Sequence, residues 1–110
     1  MHYKGISAYP GKIKGKICVV HNENEFDHCE KGDVILLVRI KPSVALVKLA
    51  SAVLAVHGGI TSHAAIVARE NNKPAVVGLP EEILEQVKNG DEVEVDAGEG
   101  VVTCHCEEPL

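Results

Sequence analysis

The chain has 110 residues, of which 45% are hydrophobic and 25% are charged, and its formal net charge at pH 7 is −5. This length and apolar content suffice for one compact domain with a core, residues 1–110, and are too small for two ordinary domains. The acidic balance argues against a nucleic-acid-binding protein, because binding to the phosphate backbone depends on clustered Lys and Arg.

The first clear element is a strand in "GKIKGKICVV", residues 11–20, where an alternating pattern becomes a continuous apolar run. The side chains expected to face the core are Ile13, Ile17 and Val19. The intervening lysines form the basic run of the chain, and we interpret them as the solvated face of the strand: Lys12, Lys14 and Lys16. The segment is not a phosphate-binding P-loop, because three residues instead of four separate its glycines and no Ser or Thr follows the lysine.

A polar loop through Gly32 leads to three further strands that alternate with helices. The apolar runs Val34–Val38, Val53–Val56 and Ala75–Val77 are typical of strands buried on both faces, and we expect them to be neighbours in one sheet. The segments "PSVALVKLAS" and "SHAAIVARENN" between them predict helices. This alternation indicates right-handed crossovers and a parallel centre to the sheet.

The last third of the chain predicts one more helix and two more strands. The helix lies in "PEEILEQVKNG", with Pro80 at its start and Gly90 beyond its end. The strands lie in "DEVEVDAGEGVVTCHC" and are joined by a turn at Gly98, Glu99 and Gly100. We therefore expect an α/β domain of three layers, in which a β-rich layer made by the two chain ends packs on the βαβ part.

The chain shows no targeting or membrane signal. The start "MHYKGISAYPG" has no apolar signal region, and no stretch reaches the roughly 20 apolar residues of a membrane span. We therefore expect a soluble, cytoplasmic protein. A chain this rich in aliphatic residues does not need disulfides, so we expect free thiols in a reducing compartment at Cys18, Cys29, Cys104 and Cys106.

Candidate chemistry is concentrated in "GGITSHAAIVARENNKPAVVG", residues 58–78, where His63 stands at the start of a predicted helix. The preceding strand would end at the carboxyl edge of a parallel sheet, where such sheets bind ligands. Backbone N–H groups of the first helical turn and the positive end of the helix dipole favour an anion there. Imidazole is largely neutral near pH 7 and is a fair nucleophile, so His63 could accept a phosphoryl group covalently.

The residues around His63 would then hold the phosphate oxygens through hydroxyl and backbone donors. The candidates are Gly58, Gly59, Thr61, Ser62 and Ala64. For a lone histidine, a purely structural role would be the better interpretation, with Thr61 or Ser62 as an ordinary N-cap.

The whole stretch, however, resembles the phosphohistidine signature of the phosphoenolpyruvate-utilising enzymes, which include pyruvate phosphate dikinase, phosphoenolpyruvate synthase and enzyme I of the sugar phosphotransferase system. The match is carried by Gly58, Gly59, Thr61, Ser62, His63, Ala64, Ala65, Ile66, Ala68, Arg69, Pro74, Ala75, Val76 and Gly78. The segments "YPGKIKGKICVV", "GDVILLV" and "NGDEVEVDAGEGVV" are also similar to the same mobile domain, so the resemblance covers nearly the whole chain.

This resemblance implies the swivelling β/β/α fold and a phosphorylated histidine at His63. In the larger enzymes the domain moves between a nucleotide-binding or carrier-protein site and a phosphoenolpyruvate-binding barrel, and this chain looks like the carrier alone. The resemblance therefore implies separate partner proteins or subunits that contribute Mg²⁺ and phosphoenolpyruvate or ATP, with no cofactor bound by this domain itself. The alternative is a non-catalytic regulatory or interaction module that keeps the fold.

Three other groups of residues could also carry chemistry or contacts. Cys104-His105-Cys106 departs from the family pattern, but strand alternation would turn the two cysteines away from the histidine, and we expect no metal site there. His57 could act as a second acid or base, but we interpret it as a surface histidine at a strand end. Arg69 lies about 600° of helical rotation beyond His63, so we expect a structural or docking contact from it.

Overall fold

The computed structural model describes residues 2–21, 29–38, 44–56, 63–88 and 90–104. Within these ranges the chain forms strands and helices in the order β1 (His2–Lys4), β2 (Ile6–Tyr9), β3 (Lys12–Val20), β4 (Val34–Val38), α1 (Val44–Leu49), β5 (Ala52–Val56), α2 (His63–Glu70), β6 (Ala75–Leu79), α3 (Ile83–Gln86), β7 (Glu92–Asp96) and β8 (Val101–Cys104).

The strands form two layers that share the long strand β3. Its first half, Lys12–Lys16, pairs antiparallel with β7, and β8 and β1 continue this antiparallel layer. Its second half, Ile17–Val20, pairs parallel with β4, after which β5, β6 and the antiparallel edge strand β2 follow. The complete order is β1-β8-β7-β3-β4-β5-β6-β2. The change from an alternating to a continuous apolar pattern in β3 therefore coincides with its passage from one layer to the other.

Two apolar cores hold the layers together. The first lies between the antiparallel layer and one face of the parallel strands, and includes Ile17, Leu54, Val95 and Val102. The second lies between the other face of the parallel strands and helices α1 and α2, and includes Val20, Ile35, Val47, Ala65 and Ala68. The arrangement is β/β/α, which confirms the predicted fold class.

The predictions for the central strands and for the lysine face are confirmed. Strands β4, β5 and β6 are parallel neighbours, and most of their side chains are buried. Lys12, Lys14 and Lys16 are exposed, as expected for a solvated face. Lys14 Nζ lies 2.8 Å from a carboxylate oxygen of Glu92, whose hydrogen bond and negative charge raise the pKa of this lysine above its ordinary value.

The prediction of free thiols is wrong for one pair of cysteines. Cys18 on β3 and Cys29 form a disulfide, with their Cα atoms 5.7 Å apart. Both side chains are buried in the core beneath the helices, where Cys29 contacts the same face of the sheet as Cys18. Cys104 is buried and forms no disulfide with another described cysteine, and Cys106 lies outside the described residues.

The structure also differs from the sequence-based expectation in its shorter elements. The helix expected over residues 80–90 is a single turn, α3, because Val87 turns into extended backbone and buries its side chain between the two sheets. The chain then meets β3 again, where the Asp91 carbonyl accepts a hydrogen bond from the N–H of Ile17. None of the helices in the described ranges has the length and apolar character needed to cross a membrane.

Candidate functional site

His63 lies at the carboxyl edge of the parallel strands because of the way the chain connects β5 to β6. The two strands are parallel neighbours, so the chain must return along α2 from the carboxyl end of β5 to the amino end of β6. His63 is the first residue of α2 and therefore stands at the edge where β5 ends. This is the edge at which open parallel sheets bind ligands.

One face of α2 is buried against the sheet and the other is exposed. The face on the sheet carries small side chains that are nearly or completely buried, namely Ala64, Ala65, Val67 and Ala68. The opposite face is exposed and carries His63, Ile66, Arg69 and Glu70. Alanines let the helix axis approach the sheet closely, whereas the imidazole of His63 remains in solvent, where a second molecule can reach its ring nitrogens.

The carboxyl end of α2 is closed by a Schellman motif. Asn72 has a φ of 55°, in the left-handed region that Asn tolerates better than most residues. The N–H of Lys73 donates to the Ala68 carbonyl at 2.9 Å, and the N–H of Asn72 donates to the Arg69 carbonyl at 3.2 Å. These two bonds satisfy carbonyls that a helix end otherwise leaves without partners.

Arg69 ties the last turn of α2 to the edge strand β2. Its Nε donates to the Ala8 carbonyl at 2.9 Å, and the Tyr9 hydroxyl donates to Asn72 Oδ1 at 3.2 Å. The β2–β6 register shifts between Ser7 and Tyr9, and this irregularity lies at Ala8, the residue that accepts from Arg69. The expectation of a structural contact by Arg69 is therefore confirmed.

Only part of the predicted phosphate cradle is described. Ala64 is in the first turn of α2, with its side chain packed against the sheet and its backbone N–H among those that lack a partner within an α-helix. The other predicted contributors lie outside the described residues, and their role remains a prediction: Gly58, Gly59, Thr61 and Ser62. The alternatives at His57 and at His105 with Cys106 also lie outside the described residues.

A second concave surface lies far from this edge, on the outer face of the antiparallel layer. It is an open groove of about 650 Å³ lined by residues of β1, β3, β7 and β8, among them His2, Lys14 and Glu94. The charges along it are paired across strands, as in the Lys12–Asp96 contact at 3.7 Å. Because the groove lies on the side of the molecule away from the helices, it does not contribute to the surroundings of His63.

The chain is similar to known proteins in both sequence and structure. Residues 29–100 match the family described as "PEP-utilising enzyme, mobile domain". A probable phosphoenolpyruvate synthase of Pyrococcus horikoshii is 43% identical over 100 residues, which are 90% of this chain and 12% of that protein. The chain thus spans about an eighth of the length of this curated relative.

Solved structures agree with the family match. The NMR structure of Enzyme I (nEIt) superimposes with a TM-score of 0.60 and 36% identity, over 76% of this chain and 34% of that one. Thermococcus kodakaraensis aconitase X gives a TM-score of 0.63 at 19% identity over 94% of this chain and 98% of that one, a likeness of fold alone. The family match, which covers well over half of the residues, shows that the chain belongs to the mobile-domain family of the PEP-utilising enzymes.

Proposed function

We propose that this chain is a phosphoryl-carrier domain in which His63 is transiently phosphorylated. The observation that carries the proposal is the position of His63: it is an exposed histidine, the first residue of α2, at the carboxyl edge of the parallel strands in a member of this family. A histidine with only a packing role would be expected inside one of the two cores.

The proposed step exchanges one bond to phosphorus for another. The lone pair of a ring nitrogen of His63 forms a P–N bond while the P–O bond to the donor's leaving group breaks, and that group leaves with the electron pair. The second transfer reverses the sequence on an acceptor. We further propose that the hydroxyls of Thr61 and Ser62 and the backbone N–H groups of Gly58, Gly59 and Ala64 hold the phosphoryl oxygens.

A carrier role accounts better for α2 than a complete active site does. Phosphoryl transfer requires neutralisation of the charge that develops on the transferred group, usually by Lys, Arg or Mg²⁺. The cation of α2, Arg69, is at the opposite end of the helix from His63 and is bonded to β2. We therefore propose that partner domains or proteins, which bind nucleotide or phosphoenolpyruvate, supply Mg²⁺ and the remaining cationic groups.

Mass spectrometry under alkaline conditions tests the proposal, because a P–N bond to histidine survives alkali and is lost in acid. The chain is mixed with the Pyrococcus horikoshii relative, Mg²⁺ and either ATP or phosphoenolpyruvate, and the phosphorylated residue is identified. Label is expected on His63, to be absent in His63→Ala, and to persist in His2→Ala, which removes an exposed histidine on the outer face. Label on another histidine in the wild-type chain would refute the assignment.

Further measurements distinguish the carrier from a complete active site and from a regulatory or interaction module. The chain alone with ATP or phosphoenolpyruvate is expected to show negligible turnover, and robust hydrolysis would argue for a complete active site. Thr61→Val is expected to slow labelling without abolishing it, because it removes a hydrogen bond to a charged group that is worth on the order of 1 to 3 kcal/mol. A chain that no family donor labels would favour the regulatory or interaction module.

A further inference from the structure

The exposed large aliphatic side chains of the described residues are all on the helix side of the molecule. They are Ile6 at 46%, Val44 at 51% and Ile66 at 43% relative exposure. The outer face of the antiparallel layer, in contrast, displays alternating lysines and carboxylates that pair with one another. The two broad surfaces of the protein therefore differ in character, and His63 is on the one that carries the exposed aliphatic side chains.

Ile66 is the nearest of the three to His63 along the chain. The two residues are three positions apart on α2, which corresponds to about 4.5 Å along the helix axis and about 60° around it. Both side chains are exposed while Ala64, Ala65 and Val67 face the sheet. A surface that covers the imidazole of His63 must therefore also come close to Ile66.

Ile6 borders the same region from the edge strand. Strand β2 is antiparallel to β6, and α2 runs back along β6, so β2 and α2 run in the same direction. Their far ends meet at the bond from Arg69 to Ala8. Ile6 is two residues before Ala8 and pairs with Val77, whose side chain lies in the core beneath the helices, so Ile6 is on the helix side of the sheet beside the first half of α2.

Val44 lies on the other side of α2. It is the first residue of α1, which follows β4, and β4 is the neighbour of β5 in the sheet. Helices α1 and α2 pack against each other, and both begin at the carboxyl edge of their strands. Adjacent packed helices have axes about 8–10 Å apart, so Val44 and His63 belong to one surface.

We propose that Ile6, Val44 and Ile66 form an apolar collar around His63 and that its occupant is the domain that donates the phosphoryl group. This inference rests on the proposed function, because a P–N bond forms only when the donor's phosphorus lies within bonding distance of the imidazole. The donor's surface must then cover the neighbours of His63. Burial of three exposed aliphatic side chains stabilises the complex with the donor domain. The opposite face offers no comparable free energy of binding, because its charges are already paired with one another.

The test compares variants by the rate at which His63 becomes labelled. Ile66→Ser and Val44→Ser remove apolar surface at exposed positions, and Ser and Ile have similar helix propensities, so the fold is preserved. The control is Lys4→Ser, which shortens an exposed side chain on β1 at the far edge of the antiparallel layer. Ile66→Leu keeps the apolar surface and is expected to restore the rate.

Two donors separate docking from chemistry. The Pyrococcus horikoshii relative with Mg²⁺ and ATP or phosphoenolpyruvate is the protein donor, and phosphoramidate is a small donor that needs no docking surface. With the protein donor, each serine variant on the collar is expected to be labelled about five- to tenfold more slowly, as loss of a partly exposed aliphatic contact implies. With phosphoramidate, all variants are expected to be labelled at the wild-type rate.

The outcomes distinguish this proposal from the one on which it rests. Equal labelling of His63 by the protein donor in all variants would overturn the collar and leave the carrier function intact. Failure of the protein donor to label the wild-type chain, when phosphoramidate labels His63, would also count against the collar. Label from the protein donor on a histidine other than His63 would overturn the proposed function itself.

Discussion

Reduction of the Cys18–Cys29 disulfide should lower the free energy of unfolding by about 3 kcal/mol. The bond closes a loop between residues 11 apart in sequence, and the loss of loop-closure entropy in the unfolded chain for such a loop gives this magnitude at 25 °C. Both cysteines are buried beneath the helices, so their thiols remain packed after reduction and add little to the loss. For a domain of this size the midpoint of thermal unfolding should fall by about 10 °C.

Thermal unfolding followed by circular dichroism, with and without dithiothreitol, measures this effect. The double variant Cys18→Ala/Cys29→Ala is the control, because its midpoint should not respond to the reductant. A wild-type midpoint that is equally insensitive would show that the bond contributes no stability. A reductant-sensitive midpoint in the double variant would point instead to a disulfide of Cys104, which is buried and forms none with the described cysteines.

Three further changes test other parts of the fold. Gly100→Ala should lower the free energy of unfolding by about 2–4 kcal/mol, because Gly100 has a φ of 72° and an added Cβ would lie 2.7 Å from the Gly5 carbonyl oxygen. The control Gly32→Ala, at a φ of 91° with nothing within 4 Å of the added Cβ, should lower it by only about 1 kcal/mol. Urea unfolding measures both. Arg69→Met should lose about 1–3 kcal/mol by the same measurement, because it removes the bond to β2, and an unchanged midpoint would contradict this role. The difference in melting midpoint between Lys14→Gln and the wild type should be the same at every pH from 6 to 9. The raised pKa of Lys14 means that its charge is present throughout that range and that any contribution is lost only as the pH rises through the raised value. A difference that varies with pH in this range would contradict the assignment.

The central part of the fold could be predicted because burial on both faces leaves a direct trace in the sequence. The run Val34–Val38 has no polar residue, and it forms a strand with neighbours on both sides and apolar contacts on both faces. The alternation of Lys12, Lys14 and Lys16 with less polar residues likewise reflects one exposed and one inward face. The start of α2 at His63 followed from the apolar periodicity that begins there.

The contacts that depend on the meeting of distant segments left no such trace. Strand β2 has four residues, and its position beside β6 is set by tertiary pairing rather than by a pattern within it. The partner of Arg69 was therefore not predictable, because the Ala8 carbonyl is accessible only through the irregular pairing of that strand. The disulfide was missed for a similar reason: composition indicates whether a chain needs disulfides, but not whether its connections bring two cysteines together.

The residues that hold α2 in place are separate from His63, the residue that we propose is phosphorylated. Ala65 and Ala68 are completely buried on the sheet, and Arg69 and Asn72 fix the far end of the helix to β2. None of these contacts involves the imidazole of His63, which is exposed at the opposite end. Substitutions in the first group should therefore reduce stability together with labelling, whereas His63→Ala should abolish labelling and leave the unfolding midpoint unchanged. Ala64, Ala65, Ala68 and Arg69 of the signature motif are thus best explained as the contacts that hold α2 on the sheet and leave His63 exposed at its edge.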